Sequence, residues 1–347
     1  MMEKKIFDVT IIGGGPAGLY SAFYSGLRGM TAKILEYQPH LGGKVNVYPE
    51  KMIWDAGGMP PVTGAKMVEQ MVEQGLTFNP EVHLNEKVES ISKNENGHFI
   101  VKAASGNVHI SKTVIVAVGS GILNPQKLQI EGAERFEVSN LHYTVQSLKK
   151  FKNKTVLISG GGNTAIDWAN ELEPVAKKVY ITHRSCNFKG HESQIGQLMN
   201  STAECLLNTQ ITKLHANEAH DAIDRVELTH SITNESSSLE VDDVIINHGY
   251  EIDASLIKNS ELPIQMVDEY FIKTESGGGS SVPGLYAAGD ISKHDGKLNL
   301  LMGAFHDAAN AVNQAKRYIT PDAGAAAMVS SHNDVFKEKN RELVKNI

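Results

Sequence analysis

The stretch DVTIIGGGPAG, from Asp8 to Gly18, decides the fold of the first part of the chain. Its apolar run predicts a buried strand, and its small residues predict a tight turn that opens a helix. In such a unit the first glycine makes the turn, the second lets the backbone approach a pyrophosphate, and the third position keeps helix and strand close. The helix N-terminus then presents N–H groups to the phosphates. The candidate phosphate-binding residues are Gly13, Gly15, Pro16, Ala17 and Gly18.

A second stretch of the same kind, TVLISGGGNTA, runs from Thr155 to Ala165. It again places an apolar run before three glycines and a helix-forming sequence after them, so it predicts a second strand–turn–helix unit. Two such units in one chain indicate an α/β protein with two Rossmann-like dinucleotide-binding domains. The second set of candidate residues is Gly160, Gly162, Asn163, Thr164 and Ala165.

The charge at the end of the next strand distinguishes the two dinucleotides. After the first turn, the strand Thr31–Glu36 ends in an acid, which would accept hydrogen bonds from ribose hydroxyls and repel a 2′-phosphate. After the second turn, a strand leads into His183 and Arg184, with Lys189 close behind, and these cations favour a 2′-phosphate. We therefore predict FAD at the first site and NADPH at the second. An ordinary surface arginine at a strand end is the alternative interpretation of Arg184.

Composition limits the class of protein. With 347 residues, of which 41% are hydrophobic, the chain can form two packed domains. A net charge of −7 argues against a general nucleic-acid or anionic-membrane surface. The two cysteines, Cys186 and Cys205, form no disulfide framework, which is ordinary for a reducing cytoplasm. Because glycines interrupt the uncharged stretch Val9–Leu27, we expect no membrane helix there and a cytoplasmic protein.

The rest of the pattern predicts how the domains are arranged. We expect a helix over 16–29, another near Gly64–Gln74, a β-meander over roughly 81–103, a strand at Thr113–Gly119 and a closing strand at Asp243–Gly249. A later strand ends in Gly289-Asp290 and is followed by the helical stretch Leu300–Ile319. If Asp290 belongs to the first site, the FAD domain is discontinuous, comprising residues 1–120 and 250–347 with a C-terminal tail from about 321. The NAD(P)H domain, residues 121–249, is then inserted into it.

Shorter motifs complete a recognisable pattern. They are LGG at Leu41–Gly43, YPEK at Tyr48–Lys51, NLHY at Asn140–Tyr143, GKLNL at Gly296–Leu300 and VPGLYAAGD at Val282–Asp290. Together with the two turns, they make nearly the whole chain resemble the low-molecular-weight thioredoxin reductase-like flavoproteins. Within these it is most similar to the ferredoxin–NADP⁺ reductases of thioredoxin reductase type. The resemblance implies two three-layer ββα domains and a homodimer.

The same resemblance implies the flavin contacts. Tyr48 would lie on one face of the isoalloxazine ring, and His332 would cover the other, from the second subunit of the homodimer. The loop before YPEK is one residue shorter than is usual in the family, so Val47 is the alternative to Tyr48 on the ring. The other implied FAD contacts are Gly13, Gly15, Ala17, Glu36, Gly43, Lys44, Val88, Leu123 and Asp290.

Several positions depart from the family pattern. Lys44 stands where glutamine is usual, and the NADP segment has Ser185 and Lys189 where arginines are usual. Losing a bidentate guanidinium weakens 2′-phosphate binding by about 1–3 kcal/mol. We therefore expect NADPH binding with less discrimination against NADH than is typical. His332 is followed by Asn333, where the family usually has a hydroxyl residue. The residues next to the implied flavin contact of His332 therefore differ from those of the family.

The absence of a C-x-x-C motif predicts the electron acceptor. Thioredoxin reductases carry that dithiol near the position of Leu141–Val145 here, and this chain has none. Electrons would then leave the flavin directly, for a ferredoxin or flavodoxin, with no catalytic side chain and no metal required. A flavin disulfide reductase is disfavoured for the same reason. Two alternatives stay open: an NAD(P)H oxidase or diaphorase that uses small acceptors, and a non-catalytic redox-sensing flavoprotein.

Overall fold

The computed structural model describes residues 5–121, 124–251, 253–328 and 332–344. The chain forms two compact units. The first unit contains the described residues up to Asn46, those of 51–121 and those from 253 onward. The second contains Asn124–Glu251 together with the short segment Val47–Glu50. The second unit is thus formed by a stretch that interrupts the first, plus one short segment from the N-terminal part of the chain.

The elements include strand–helix–strand units and longer runs of consecutive strands. Those before residue 121 are β1 (Phe7–Ile12), α1 (Pro16–Leu27), β2 (Ala32–Leu35), β3 (Met52–Ile53), β4 (Val62–Thr63), α2 (Gly64–Gly75), β5 (Glu81–His83), β6 (Val88–Lys93), β7 (Phe99–Ala103) and β8 (Val108–Val116). Those of the second unit are β9 (Leu141–His142), β10 (Thr155–Ser159), α3 (Asn163–Leu172), β11 (Lys178–His183), α4 (Glu192–Met199), β12 (Glu204–Leu207), β13 (Thr209–Ala216), β14 (Ile223–His230), β15 (Ser236–Glu240) and β16 (Asp243–Ile246). The remaining elements are α5 (Ser255–Lys258), β17 (Met266–Val267), β18 (Phe271–Lys273), β19 (Leu285–Ala287), β20 (Ser292–Lys293), α6 (Leu301–Ile319) and α7 (Lys337–Val344).

The first unit is built on one mixed sheet with the order β5-β2-β1-β8-β7-β6, in which β19 also pairs with β8. β1 is parallel to both neighbours, with Val9 opposite Ala32 on one side and Thr113 on the other. The antiparallel strands β6 and β7 contribute Ile91 and Phe99 to the core on one face. α1 and α6 pack against one another, and α6 also packs on β8 and β19. The central parallel strands therefore lie between helices and an antiparallel layer.

The second unit repeats this arrangement. Its sheet has the order β12-β11-β10-β16-β9, with all pairs parallel. Alternate residues of β10 face opposite sides: Val156 and Ile158 pack in the cluster that contains Trp168 of α3. Leu157 packs in the cluster that contains Val226 of the antiparallel sheet β13-β14-β15. A strand that is buried on both faces must be apolar throughout. This is why polar and apolar residues do not alternate along β10.

Most predicted elements are present, with different ends. α1 ends at Leu27, before residue 29, because Gly29 adopts a positive φ of 65° that a helix cannot continue. The strand expected at Thr113–Gly119 begins earlier and ends earlier, at Val108 and Val116. Its first half pairs with β7 as the last strand of the meander. In the part of the chain that the structure describes, no helix is long and apolar enough to cross a bilayer.

Candidate nucleotide-binding sites

The first glycine turn lies at the carboxyl end of β1. Gly13 has a φ of +107°, and a Cβ there would lie 2.8 Å from the carbonyl carbon of Ala117. Its N–H donates to the carbonyl of Leu35 at 2.8 Å, and the N–H of Ala117 donates to Ile12 at 2.7 Å. The turn is therefore held between the two neighbouring strands, and only glycine fits its first position.

The helix that follows packs as closely as the sequence predicts. A Cβ at Gly18 would overlap the carbonyl oxygen of Gly13. α1 begins at Pro16 with Gly15 as its N-cap, and no side chain caps it. The first N–H groups of a helix have no partner within the helix, so this end can bind an anion. Gly43, at a φ of +57°, brings a second stretch of backbone so close to Gly15 that a Cβ at Gly43 would lie 2.7 Å from the Cα of Gly15.

Glu36 follows β2 and is tied to the turn. Its Oε2 accepts the N–H of Gly14 at 2.6 Å, and its Oε1 accepts the N–H of Gln38 at 2.7 Å. Burial raises the pKa of the Glu36 carboxyl, although these two hydrogen bonds oppose the shift. Each carboxylate oxygen has a further lone pair, so the group can still accept hydrogen bonds from ribose hydroxyls.

Asp290 lies beside the same turn. The backbone after β19 continues along β8, since the N–H of Ala288 donates to Val116 at 3.0 Å. Gly289, with a φ of +77°, comes so close to α1 that a Cβ there would lie 2.9 Å from the Cβ of Ala17. Asp290 is half-buried, and its carboxylate accepts no hydrogen bond from any residue that the structure describes. An acceptor without a protein partner at this place fits a polyhydroxyl chain such as the ribityl group.

The other predicted flavin residues are placed differently. Val88 is buried in the core of the first unit, so its side chain contributes packing and only its backbone could meet a cofactor. Lys44 and His332 are exposed. Tyr48 packs against the hydrophobic cluster of the second unit, to which its segment belongs. Leu123 lies outside the described residues. All of these flavin contacts stay predictions.

The second glycine turn repeats the geometry of the first at the end of β10. Gly160 has a φ of +154°, and a Cβ there would lie 2.5 Å from the carbonyl oxygen of Asn247. Its N–H donates to Thr182 at 2.9 Å. α3 begins at Asn163, with Gly162 as an N-cap that has no side-chain hydrogen bond. This helix end is therefore a second place where an anion can bind.

His183, at the end of β11, occupies the position that corresponds to the acid of the first site. Its ring lies directly on Gly161, where any Cβ would overlap it, and it stacks on Phe188 with centroids 5.9 Å apart. Its Nε2 is buried without a hydrogen-bond partner among the described residues. Burial, followed by the charges of Arg184 and Lys189, lowers the pKa of His183. The imidazole is therefore neutral at pH 7, and the net positive charge of the site comes from its neighbours.

Those neighbours are exposed. Arg184 follows β11, and its side chain makes no hydrogen bond or ion pair with any residue that the structure describes. The backbone of Lys189 is fixed, because its N–H donates to Gly161 at 2.6 Å. Lys189 also forms an isolated bridge with Gly162. The loop between the two cations thus runs along the turn, and both charged groups can reach a phosphate bound outside it.

Two polar residues beside the second glycine turn were not predicted from the sequence. Asn247 and His248 follow β16, where the carboxyl ends of parallel strands bind ligands. The Oδ1 of Asn247 is buried with no hydrogen-bond partner in the described part of the chain. Ser159 Oγ lies 2.8 Å from His248 Nε2. Burial lowers the pKa of His248, and the charges of Arg184 and His183 lower it further. The signal was available: both polar residues directly follow a buried strand.

Comparison with known proteins agrees with this geometry. The profile of the pyridine nucleotide-disulphide oxidoreductase family matches residues 7–315. The chain is 69% identical over 345 residues to ferredoxin–NADP reductase 1 of Bacillus cytotoxicus, covering 99% of each chain. It is 68% identical over 345 residues to ferredoxin–NADP reductase 1 of Bacillus licheniformis, again covering 99% of each.

A solved structure shows the same fold. Thioredoxin reductase of Lactococcus lactis superposes with a TM-score of 0.75 and 23% identity, over 91% of this chain and 99% of that one. The predicted α/β, thioredoxin reductase-like fold is therefore confirmed. With a family profile that covers most of its length, the chain belongs to the pyridine nucleotide-disulphide oxidoreductases.

Proposed function

We propose that this protein is an FAD-dependent ferredoxin–NADP⁺ reductase. One observation carries the proposal: two uncapped glycine turns, one beside a buried acid and one beside exposed cations, occur in a chain without a C-x-x-C motif. Two dinucleotides of different charge need two such sites, and a dithiol is what a disulfide reductase would add. The names of the full-length relatives support the same assignment.

FAD would bind at the first turn. The N-terminus of α1 would hold the pyrophosphate, Glu36 would accept the adenosine ribose hydroxyls, and Asp290 would accept a ribityl hydroxyl. When bound, FAD would supply the chemistry that converts one hydride from NADPH into two single electrons for a carrier. The residues of the first turn would position the cofactor, and the proposed reaction needs no covalent bond between a side chain and the substrate.

NADPH would bind at the second turn. The N-terminus of α3 would hold its pyrophosphate, while Arg184 and Lys189 would contact the 2′-phosphate. Ser185 contributes at most a hydroxyl where a guanidinium would give two parallel hydrogen bonds. We therefore propose a preference for NADPH that is real but smaller than a second arginine would give.

The electrons would leave to a soluble one-electron protein, a ferredoxin or a flavodoxin. The two cysteines are at positions 186 and 205, the first exposed and the second half-buried in β12, so neither belongs to a C-x-x-C motif. We also propose a homodimer and a cytoplasmic location. In the homodimer, Tyr48 (or Val47) and the partner's tail at His332 would cover the isoalloxazine faces. Light scattering of the purified protein would test the dimer, because a monomeric mass contradicts it.

The experiment is anaerobic mixing of the purified protein with NADPH and, separately, with NADH, while flavin absorbance is followed. A ferredoxin or flavodoxin with a terminal electron acceptor is then added. We expect fast bleaching with NADPH and onward transfer that saturates with carrier and weakens with salt. Equal rates with NADH would contradict the NADP assignment. Efficient reduction of small quinones without carrier saturation would favour the diaphorase, and negligible bleaching with either nucleotide would favour a non-catalytic flavoprotein.

A further inference from the structure

A buried charged cluster lies beside the first site and has no part in the assignments above. Asp307 projects from α6, and its Oδ2 accepts hydrogen bonds from the N–H of Gly289, at 3.1 Å, and from the ammonium of Lys297. His294 Nε2 lies 3.6 Å from the other oxygen, Oδ1. All three side chains are at most 10% exposed. The buried face of α6 around Asp307 is otherwise made of small residues: Gly303, Ala304, Ala308 and Ala311.

An ion pair buried in this way is a poor means of stabilising a helix. The desolvation of two charges offsets most of their attraction, and apolar residues of similar size are often equally stable or better. The cluster therefore needs another explanation, and its contacts suggest one. The carboxylate of Asp307, on α6, accepts the N–H of Gly289, and Gly289 is the residue directly before Asp290. Lys297 comes from the loop before α6, and that loop packs on the helix, since Gly303 leaves no room for a Cβ beside Leu298.

We propose that Asp307 is a positioning residue for the flavin half of FAD, with Lys297 as its charge partner. Its carboxylate fixes the left-handed turn at Gly289, and this turn sets the direction of the Asp290 carboxylate. The two opposite charges cancel locally, so the pair fixes the turn without adding a net charge beside the flavin. This inference rests on the proposed binding of FAD at the first turn.

Three variants test it: Asp307→Asn, Lys297→Met and the double variant. In apoprotein titrated with FAD, each single variant should raise the dissociation constant about tenfold, since each breaks a charge-assisted contact behind Asp290. The midpoint potential of the bound flavin should rise in Asp307→Asn, where an uncompensated ammonium favours the more negative reduced form. It should fall in Lys297→Met, where an uncompensated carboxylate remains. The double variant should return close to the wild-type potential, because neither charge is left alone.

Asp243 offers a matched control in the second unit. It is also buried, accepts from His142 at 2.6 Å and from Lys154 at 2.8 Å, and therefore has the same three residue types. Asp243→Asn should leave FAD affinity within about twofold of wild type and the midpoint potential unchanged, which separates a local effect from general destabilisation.

Two results would overturn the proposal. One is unchanged FAD affinity and potential in both single variants; the other is a potential shift of the same sign in both, which loosened packing alone would give. If Asp307→Asn does not fold, Lys297→Met and the double variant still decide through the predicted fall and its reversal. Failure of the wild-type apoprotein to bind FAD would instead contradict the proposed function.

Discussion

The two glycine turns share one backbone geometry and differ in how their selective charge is held. At the first, the acid Glu36 is buried and accepts the N–H of Gly14 in the turn itself. At the second, the ring of His183 fills the corresponding space, and the charged group is the exposed guanidinium of Arg184. In the first site, the group that we propose to select the ligand also holds the turn together. In the second, packing and ligand selection are assigned to different residues.

The largest effect should come from the last glycine of the first turn, Gly18. Gly18 cannot accept a Cβ without overlap with Gly13, whereas the second turn already has a methyl group at Ala165. Gly18→Ala should lose FAD on purification and destabilise the first unit by about 3 kcal/mol. Flavin content and thermal unfolding measure this. The matched change Ala165→Gly should cost only about 1 kcal/mol of helix propensity. Full flavin retention in Gly18→Ala would show that the first turn is wider than described.

Removing the acid should be the next largest change. Glu36→Gln keeps an acceptor for Gly14 but loses the charge, and we expect FAD affinity to fall about tenfold, because hydrogen bonds to charged groups are the stronger ones. Titration of apoprotein with FAD measures the loss. Thermal unfolding of the apoprotein should also change, since Glu36 holds the turn. If only FAD affinity changed, the acid would serve the ligand alone, and the contrast with the second site would fail.

At the second site, we expect a change of charge to alter nucleotide binding without altering the stability of the fold. Arg184→Ala should raise the KM for NADPH about tenfold, leave that for NADH nearly unchanged, and leave the unfolding temperature within experimental error. Ser185→Arg should lower the KM for NADPH by a similar factor, because it restores a fork for the 2′-phosphate. Steady-state kinetics with both nucleotides give the comparison. An equal loss for NADPH and NADH in Arg184→Ala would mean that Arg184 positions the turn.

The smallest effects concern pH, and the two sites should respond in opposite directions. Burial raises the pKa of Glu36 above its ordinary value of 4.5, so FAD affinity should weaken as pH falls towards that range and the carboxylate gains a proton. Burial lowers the pKa of His183 below 6.5, so acid adds a positive charge there and should strengthen NADPH binding. Binding measured between pH 7.5 and about 5 tests both.

The controls for the pH experiment are Glu36→Gln and His183→Asn, each titrated beside wild type. The contribution of either residue is the difference between the two curves, which removes the titration of the nucleotide's own phosphate. A His183→Asn curve parallel to wild type would show that the imidazole stays neutral and serves packing alone.

The sequence predicted what depends on local pattern. Apolar runs before glycines located β1 and β10, and the strand ends located Glu36 and Arg184. It could not predict that Val88 packs in the core, because an alternating strand does not show what covers each face. It also missed Asp307: one acid among small residues looks like the polar face of a helix until the N–H of Gly289 is placed beside it. Contacts between residues far apart in sequence decide these cases.

The exposure of Arg184 also bears on how such a protein can change over generations. A residue that contributes to selectivity and not to folding can be replaced, lost or regained by single substitutions while the protein still folds. Ser185 and Lys189, where the family resemblance leads us to expect arginines, occupy the same loop. On the proposed assignment, the preference for NADPH or NADH can therefore change gradually in descendants of this chain, whereas a different cofactor at Glu36 would require a new conformation of the first turn.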